Sequence, residues 1–502
     1  MLKLSKSIPI KILLCAKKKL IEKYGDKFND INNALVKLKE ADLKRNILTH
    51  IVYMDDDNSQ KITKLPASKK TDAKSCKIYI DKIYKSMNPA YLCLIGAQDI
   101  IPFFEFTNPL FSPTGDSDEL IYSDLPYACE NASSTEISDF IGPSRVIGRL
   151  PDIPDINDYK YFIKIIKFAA QHKSSDLKSF NNYFALSVKL WKGSSMTSTK
   201  NIFGNNDKLL LSPPTTEKHS KTVLKPLLHF YNNHGALFAP EYYGQTGNNY
   251  PIAQHSSSII GKVSVGTIVS AECCFGAQLY NNKNLGQPDK SLANTYLGEG
   301  AAAFVGSTTI AYGPADGQGL ADLLCQYFLI KIKEGASVGR AFLEARQRFI
   351  KDSAEFDPYE LKTLHQFILL GDPSLVPFEI PKNKLSQESI EARRDKMSFL
   401  GKALQNSTQV YKSIIGKALT YNKKTIQDIL KEVNFTNVKT KKSFQLSKNK
   451  NHPKNSKSIM GSESVFRVFV KSEKKLNINK ISALVVRENK ERVLSYKVYV
   501  SK

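Results

Sequence analysis

A chain of 502 residues with 41 % apolar and 10 % aromatic side chains has material for roughly two to four folded domains, which excludes a disordered polypeptide. Seven cysteines, odd in number and without a C-x-x-C pair, exclude a disulfide framework and the usual zinc spacings, and no run of about 18 uncharged apolar residues offers a membrane-spanning helix. The net charge of +24 sits mostly in the tail: residues 382–502 carry 28 Lys and Arg against 9 Asp and Glu, so the first 381 residues are near neutral for their size.

Met1 to Cys15 has the basic start of a leader, Lys3 and Lys6, but Lys11 breaks its apolar stretch and no small-x-small site follows. It reads as a buried strand, Ile8 to Leu14, of a protein in a reducing, cytoplasmic compartment. Helical spacing of Leu20, Ile21, Tyr24, Phe28, Ile31, Ala34, Leu35 and Leu38 predicts a helix over 18–43. A second strand, Ile47 to Met54, closes on Asp55-Asp56-Asp57, a solvated loop or, less simply, a cation site. A helix over 77–87 and a third strand, Tyr91 to Ile95, follow. This alternation implies parallel pairing with helices on the sheet faces.

Arg145 to Leu150 is a further strand, and a helix runs over 156–172. Strands or strand-leading segments are predicted from Tyr183 to Val188 and over 223–234, 265–272 and 300–311, then an amphipathic helix from Ser337 to Ile350. Beyond Pro381, residues 386–432 read as polar helix and 439–461 as a Lys/Ser/Asn-rich linker. Alternating strands at Val465–Val470, Ile481–Val486 and Val493–Val500, with a turn at Glu488-Asn489-Lys490, predict a small β unit.

Two segments carry chemistry. Leu227 to Gly235 is an apolar strand that delivers His234 followed at once by glycine. Gly266 to Ala277 is a second β-rich run that ends in Cys273-Cys274, with Gly276 behind. Sites in parallel sheets form beyond the carboxyl ends of strands, so neighbouring strands ending in His and Cys would share one crevice. The spacing of about 40 residues leaves room for one helical crossover. A thiol is a nucleophile once ionised, imidazole can move the proton, and a backbone N–H beside glycine can hold an oxyanion. Gly276 stands two residues after Cys274 and three after Cys273, so either thiol could be the nucleophile, and free cysteines are also common as small buried hydrophobes.

With HFYNNHGA at 229–236 and TIVSAECCFGAQ at 267–278, the chain resembles the caspase-like cysteine peptidases, the clan of caspases, legumains, separases and gingipains. The gingipain-type branch is most similar, through Gly148-Arg149-Leu150-Pro151, Asp124-Leu125-Pro126-Tyr127 and the closing segment Leu369-Leu370-Gly371-Asp372-Pro373-Ser374-Leu375. The resemblance spans roughly residues 8–378. It implies a caspase-like α/β/α sandwich with a mostly parallel sheet in two subdomains, 1–150 and 151–380, followed here by a basic helical and linker region, 381–461, and a small β unit, 462–502. It further implies a cysteine endopeptidase with His234 and Cys274 as dyad, the N–H groups of Gly235 and Cys274 as oxyanion hole, a thioester acyl-enzyme and no metal or organic cofactor. Glu272, two before Cys274, matches the acid or amide common there in legumains and caspases.

Other residues carry weaker expectations. His229 should face the opposite side of the sheet from His234. His255 reads as a loop residue and His365 as core or surface filler. Glu241 to Gln245 could shape substrate access, and Asp289 and Asp316 could meet a basic substrate side chain, although solvated aspartates are commoner. Gly313 to Leu320 (GPADGQGL) fits no phosphate-binding spacing and reads as a turn near the cleft. Two other classes stay open: an inactive caspase-fold scaffold, and a protein whose basic tail binds phosphates or an anionic membrane surface.

Overall fold

The computed structural model describes residues 8–378 apart from 354, and residues 390–502 apart from 415–419, 436–437, 439, 448–463 and 476–477. The apolar runs become strands β1 (Ile10–Cys15), β2 (Leu48–Tyr53), β3 (Tyr91–Ile95), a hairpin of β4 (Phe104–Thr107) and β5 (Leu120–Ser123), and β6 (Ile147–Leu150). The second half adds β7 (Phe184–Val188), β8 (Leu209–Ser212), β9 (Leu228–Asn232), β10 (His234–Gly235), β11 (Glu241–Tyr243), β12 (Ile252–His255), β13 (Ile268–Ala271), β14 (Ala303–Ser307), β15 (Tyr312–Pro314), β16 (Glu355–Phe356) and β17 (Phe367–Leu370).

Ten of them form one sheet in the order β2-β1-β3-β6-β17-β14-β13-β9-β7-β8. Every pair is parallel except β14 with β17. Parallel strands need long crossovers, and helices such as Phe28–Lys44, Ala73–Met87, Tyr159–Gln171 and Lys192–Phe203 supply them. The result is the expected α/β/α sandwich. Strands β1, β7, β9, β13 and β14 are buried almost throughout, as near-continuous apolar runs of a covered parallel sheet should be.

The sheet runs unbroken through both halves, and the three short motifs of the sequence form its seam. Leu370 of β17 pairs with Arg149 of β6, and the Gly371 N–H donates to the Arg149 carbonyl at 2.6 Å. The Arg149 guanidinium is fully buried, gripping both oxygens of Asp124 at 2.9 and 2.6 Å and the carbonyls of Gly96 and Ile101. Asp372 receives the buried Lys11 ammonium at 2.6 Å, and Asp42 receives it at 2.5 Å.

After Pro381 the architecture differs from the expected boundary at 462. Strands β18 (Gln409–Ser413) and β19 (Thr440–Ser447) already belong to the β unit, with β20 (Val465–Lys475), β21 (Ile478–Glu488) and β22 (Val493–Ser501). Part of the expected linker is therefore strand, because Phe444 anchors β19 in a buried cluster with Val468 and Val470; residues 448–461 of it lie outside the described residues. The expected turn near Asn489 joins β21 to β22. This second sheet is ordered β15-β22-β21-β20-β19-β18-β16, so its two edges, β15 and β16, come from the first 380 residues. The basic tail is thus built onto the α/β unit. No helix among the described residues is long and apolar enough to cross a membrane.

Candidate active site

Strands β9 and β13 are adjacent and parallel, with Tyr231 opposite Ala271. His234 and Cys274 each follow those partners by three residues, so both emerge at the carboxyl edge of the sheet. The chain between them is not the expected helical crossover. It folds into a small antiparallel sheet, β10-β11-β12, and one 3-10 turn at Ser256–Ile259. Pro240, Gly244, Gly247 and Pro251 interrupt any helical run there. Gly235 then comes so close to the Cys274 peptide that a Cβ on it would stand 1.9 Å from the Cys274 carbonyl oxygen. Only glycine lets the two segments meet.

His234 is almost fully buried, packed edge-on against Trp191 with ring centroids 4.5 Å apart and against Tyr250 at 5.3 Å. Its Nε2 lies 2.8 Å from Gln245 Oε1. The Gln245 amide nitrogen donates to the Gly247 carbonyl and to the Tyr250 hydroxyl, so Oε1 must accept and the imidazole proton sits on Nε2. Nδ1 has no hydrogen-bond partner among the described residues and keeps its lone pair. Burial pushes the imidazole pKa down to about 4; the Lys502 and Lys480 charges also lower it, against the Gln245 contact.

Cys274 starts a tight turn in which Phe275 adopts φ +54, and it is buried in an apolar cluster shared with the C-terminal sheet. Its Sγ is 3.5 Å from the Ala311 carbonyl, and its N–H donates to the Lys502 carbonyl at 3.0 Å. Burial pushes this thiol up to about 12. Cys273 instead belongs to the main apolar core, with no exposure, and burial raises its thiol well above the ordinary range.

Beside the pair lies a closed pocket, filled by the side chain of Lys502. The Lys502 ammonium donates to Asp322 Oδ1 at 3.1 Å, both side chains being fully buried, and stands 4.3 Å from the Trp191 ring centroid. Ser194 donates to the same carboxylate oxygen at 3.0 Å. Gly313 makes the room: a Cβ there would fall 2.1 Å from Lys502 Cε. Glu272 is buried nearby with neither carboxylate oxygen hydrogen-bonded among the described residues, and burial and the Asp322 charge raise its pKa well above the ordinary range, against the Lys502 charge.

The remaining expectations distribute plainly. Asp316 is exposed and Asp289 only half-buried; it is Asp322, outside the expected pair, that meets a basic side chain. His229 is buried and satisfied by the Tyr296 hydroxyl at 2.8 Å and the Pro226 carbonyl at 3.0 Å. His255 caps its own turn through Ser257. His365 sits in the core, edge-on to Phe106. From the Glu241–Gln245 segment, Gln245 holds the histidine and the Tyr242 hydroxyl donates to the Gly276 carbonyl. In the aspartate run, Asp55 accepts the N–H groups of Lys17 and Lys18 at the start of the helix Lys17–Tyr24, Asp56 pairs with the Lys17 ammonium at 2.6 Å, and Asp57 is exposed as a solvated loop residue would be. Trp191, Asp322 and Lys502 went unmarked in the sequence, and only the expectation of a cleft-side turn at Gly313 touched this pocket.

A family model described as peptidase family C25 matches residues 12–378. Among solved structures, one described only as a protease covers 98 % of this chain and 97 % of its own, at 12 % identity and a TM-score of 0.49. No curated protein matches the sequence.

Proposed function

Because the chain belongs to peptidase family C25, and on that ground is a cysteine peptidase acting on proteins or peptides, we propose that it is an endopeptidase that cleaves after a basic residue, preferring lysine, with Cys274 as nucleophile and His234 as its proton carrier. The observation that carries this reading is the position of Lys502. A carbonyl oxygen rests on the Cys274 N–H while the attached side chain reaches Asp322. A substrate residue bound the same way would present its carbonyl carbon to the thiol.

The chemistry follows from the groups in place. The Cys274 proton passes to the lone pair on His234 Nδ1, and the thiolate sulfur bonds to the substrate carbonyl carbon. The oxyanion so formed is held by the Cys274 N–H, with the Gly235 N–H as second donor. Collapse breaks the C–N bond, and the imidazolium gives its proton to the departing amine, leaving a thioester. Water, deprotonated by the imidazole, then attacks the thioester and regenerates the thiol. Gln245 acts as a positioning residue, fixing the tautomer that leaves Nδ1 free. Asp322 supplies the charge that selects a cation, and the Trp191 face favours an ammonium. Cys273, shut in the core, supports Cys274 as the reacting thiol.

Peptidyl acyloxymethyl ketones with Lys, Arg, Asn or Asp at P1 test this, with intact-mass mapping of the adduct. Lys and then Arg should label the chain, and Cys274→Ala and His234→Ala should abolish labelling while Cys273→Ala keeps it. Labelling lost only in Cys273→Ala would move the nucleophile, and preference for Asn or Asp would refute the basic pocket. In Asp322→Asn the Lys preference over Asn should fall by about tenfold or more, the scale of a lost charged hydrogen bond.

A further inference from the structure

Strand β22 lies where an extended substrate would lie. Tyr312, Gly313 and Pro314 of β15 pair antiparallel with Ser501, Val500 and Tyr499. The ladder continues into the site: the Lys502 N–H donates to the Ala311 carbonyl at 2.9 Å, and the Lys502 carbonyl accepts from Cys274. A peptide added to a sheet edge, with its carbonyl on an oxyanion donor and its side chain in a fitted pocket, has the geometry of a bound substrate segment. In that register Lys502 stands at P1, and Ser501, Val500 and Tyr499 stand at P2 to P4.

We propose that the segment Tyr499–Lys502 is an intrasteric inhibitor: it fills the substrate edge of β15 and the basic pocket in cis, and the chain stays latent until this segment leaves. The proposal rests on the peptidase reading for what the crevice does, whereas the blocking is a property of the occupant. The occupant is firmly moored. β22 pairs with β21 from Val493 opposite Glu488 to Val500 opposite Ser482, the Tyr499 hydroxyl donates to Asp357 at 2.9 Å, and Ser501 Oγ accepts the Ile481 N–H. A tethered ligand acts at an effective concentration on the order of millimolar, above that of most free substrates. The thiol and the imidazole are both neutral beneath it, and the Lys502 charge is one reason the imidazole pKa is low. Release therefore both opens the crevice and makes the imidazole more basic.

The test compares the unmutated chain, Lys502→Met, which keeps most of the side-chain volume, and Lys502→Ala, with Lys497→Ala on the exposed part of β22 as control. Each is treated with the P1-Lys ketone and with iodoacetamide, which reports access to Cys274 whatever the enzyme does. Both Lys502 variants should react at Cys274 at least about tenfold faster with both reagents, and Lys497→Ala should react like the unmutated chain. Equal rates in all four chains, fast or slow, overturn the inhibitor. Faster alkylation of the Lys502 variants with no reaction toward the ketone keeps the inhibitor and sinks the peptidase reading. Should the variants fail to fold, hydrogen exchange on the unmutated chain decides. Once Cys274 carries the P1-Lys group, amides 499–502 should exchange about tenfold faster, and unchanged protection overturns the proposal.

Discussion

His365 is fully buried against Phe106, and neither ring nitrogen has a hydrogen-bond partner in the described structure. Burial pushes its pKa down to about 3, the Arg346 charge adding to the effect. The folded state therefore holds it neutral where the unfolded chain, titrating near 6.5, takes up a proton. Stability from this residue is whole above about pH 6.5 and falls by about 1.4 kcal/mol per unit as the pH drops from there toward 3. His365→Leu, similar in volume and unable to titrate, should remove that slope. Denaturant melts of the two chains between pH 7 and 4.5 check it: the variant should gain on the unmutated chain steadily as the pH falls, and parallel curves would contradict the neutral buried state. At this scale part of the site is legible in the sequence. His234-Gly235 and Cys274 stand out because an apolar strand ending in a polar reactive residue is unusual. Asp322 does not, since an aspartate in the first turn of a helix is ordinary dipole chemistry, and its partner lies 180 residues away.

Between elements, the decisive contact is the seam of β6 and β17. The motif glycines admit two backbones to one place: a Cβ on Gly148 would stand 2.7 Å from the Gly371 carbonyl, and one on Gly371 would stand 2.4 Å from the Ala302 carbonyl. The buried Arg149–Asp124 pair closes the same seam, and such a pair behaves asymmetrically. Removing one partner strands a charge, at about 3–5 kcal/mol, whereas replacing both leaves no charge to strand. Arg149→Met should accordingly cost more than the double change Arg149→Met with Asp124→Leu, measured as chemical-denaturation midpoints. A double variant that loses the sum of the two single losses would show that the pair contributes nothing as a pair. The motifs themselves were legible, but their meeting was not, because some 220 residues separate Arg149 from Leu370 and neither strand shows the other in its pattern. The same limit hid β22: its alternation announced a strand, while its neighbour β15, three residues ending in proline, has no strand signature at all.

For the whole molecule, the question is whether the basic C-terminal sheet is an appendage or part of the peptidase. It looked separable in the sequence, since composition and charge both change after Pro381. Packing joins it to the rest. One buried cluster takes Leu110, Cys274, Ile310, Tyr312, Leu320 and Tyr359 from the first 380 residues, and Tyr411, Phe444, Val468, Val470, Ile481, Ala483, Val485 and Tyr499 from the tail. Stripping the tail would return most of the first group to water. At about 1.5–3 kcal/mol for each large apolar side chain, the loss approaches roughly 10 kcal/mol, the size of a typical domain's entire stability. Asp322, Asp357 and the β15 edge would lose their partners as well. A chain cut after residue 380 should therefore melt without a cooperative transition, bind a hydrophobic dye and associate, whereas the full chain melts in one step. A fragment melting sharply within a few degrees of the full chain would make the sheet an appendage after all. The expected outcome also bears on latency. If the sheet is needed to hold the peptidase together, activation cannot proceed by discarding it, and the movement that frees Cys274 must be confined to the end of β22.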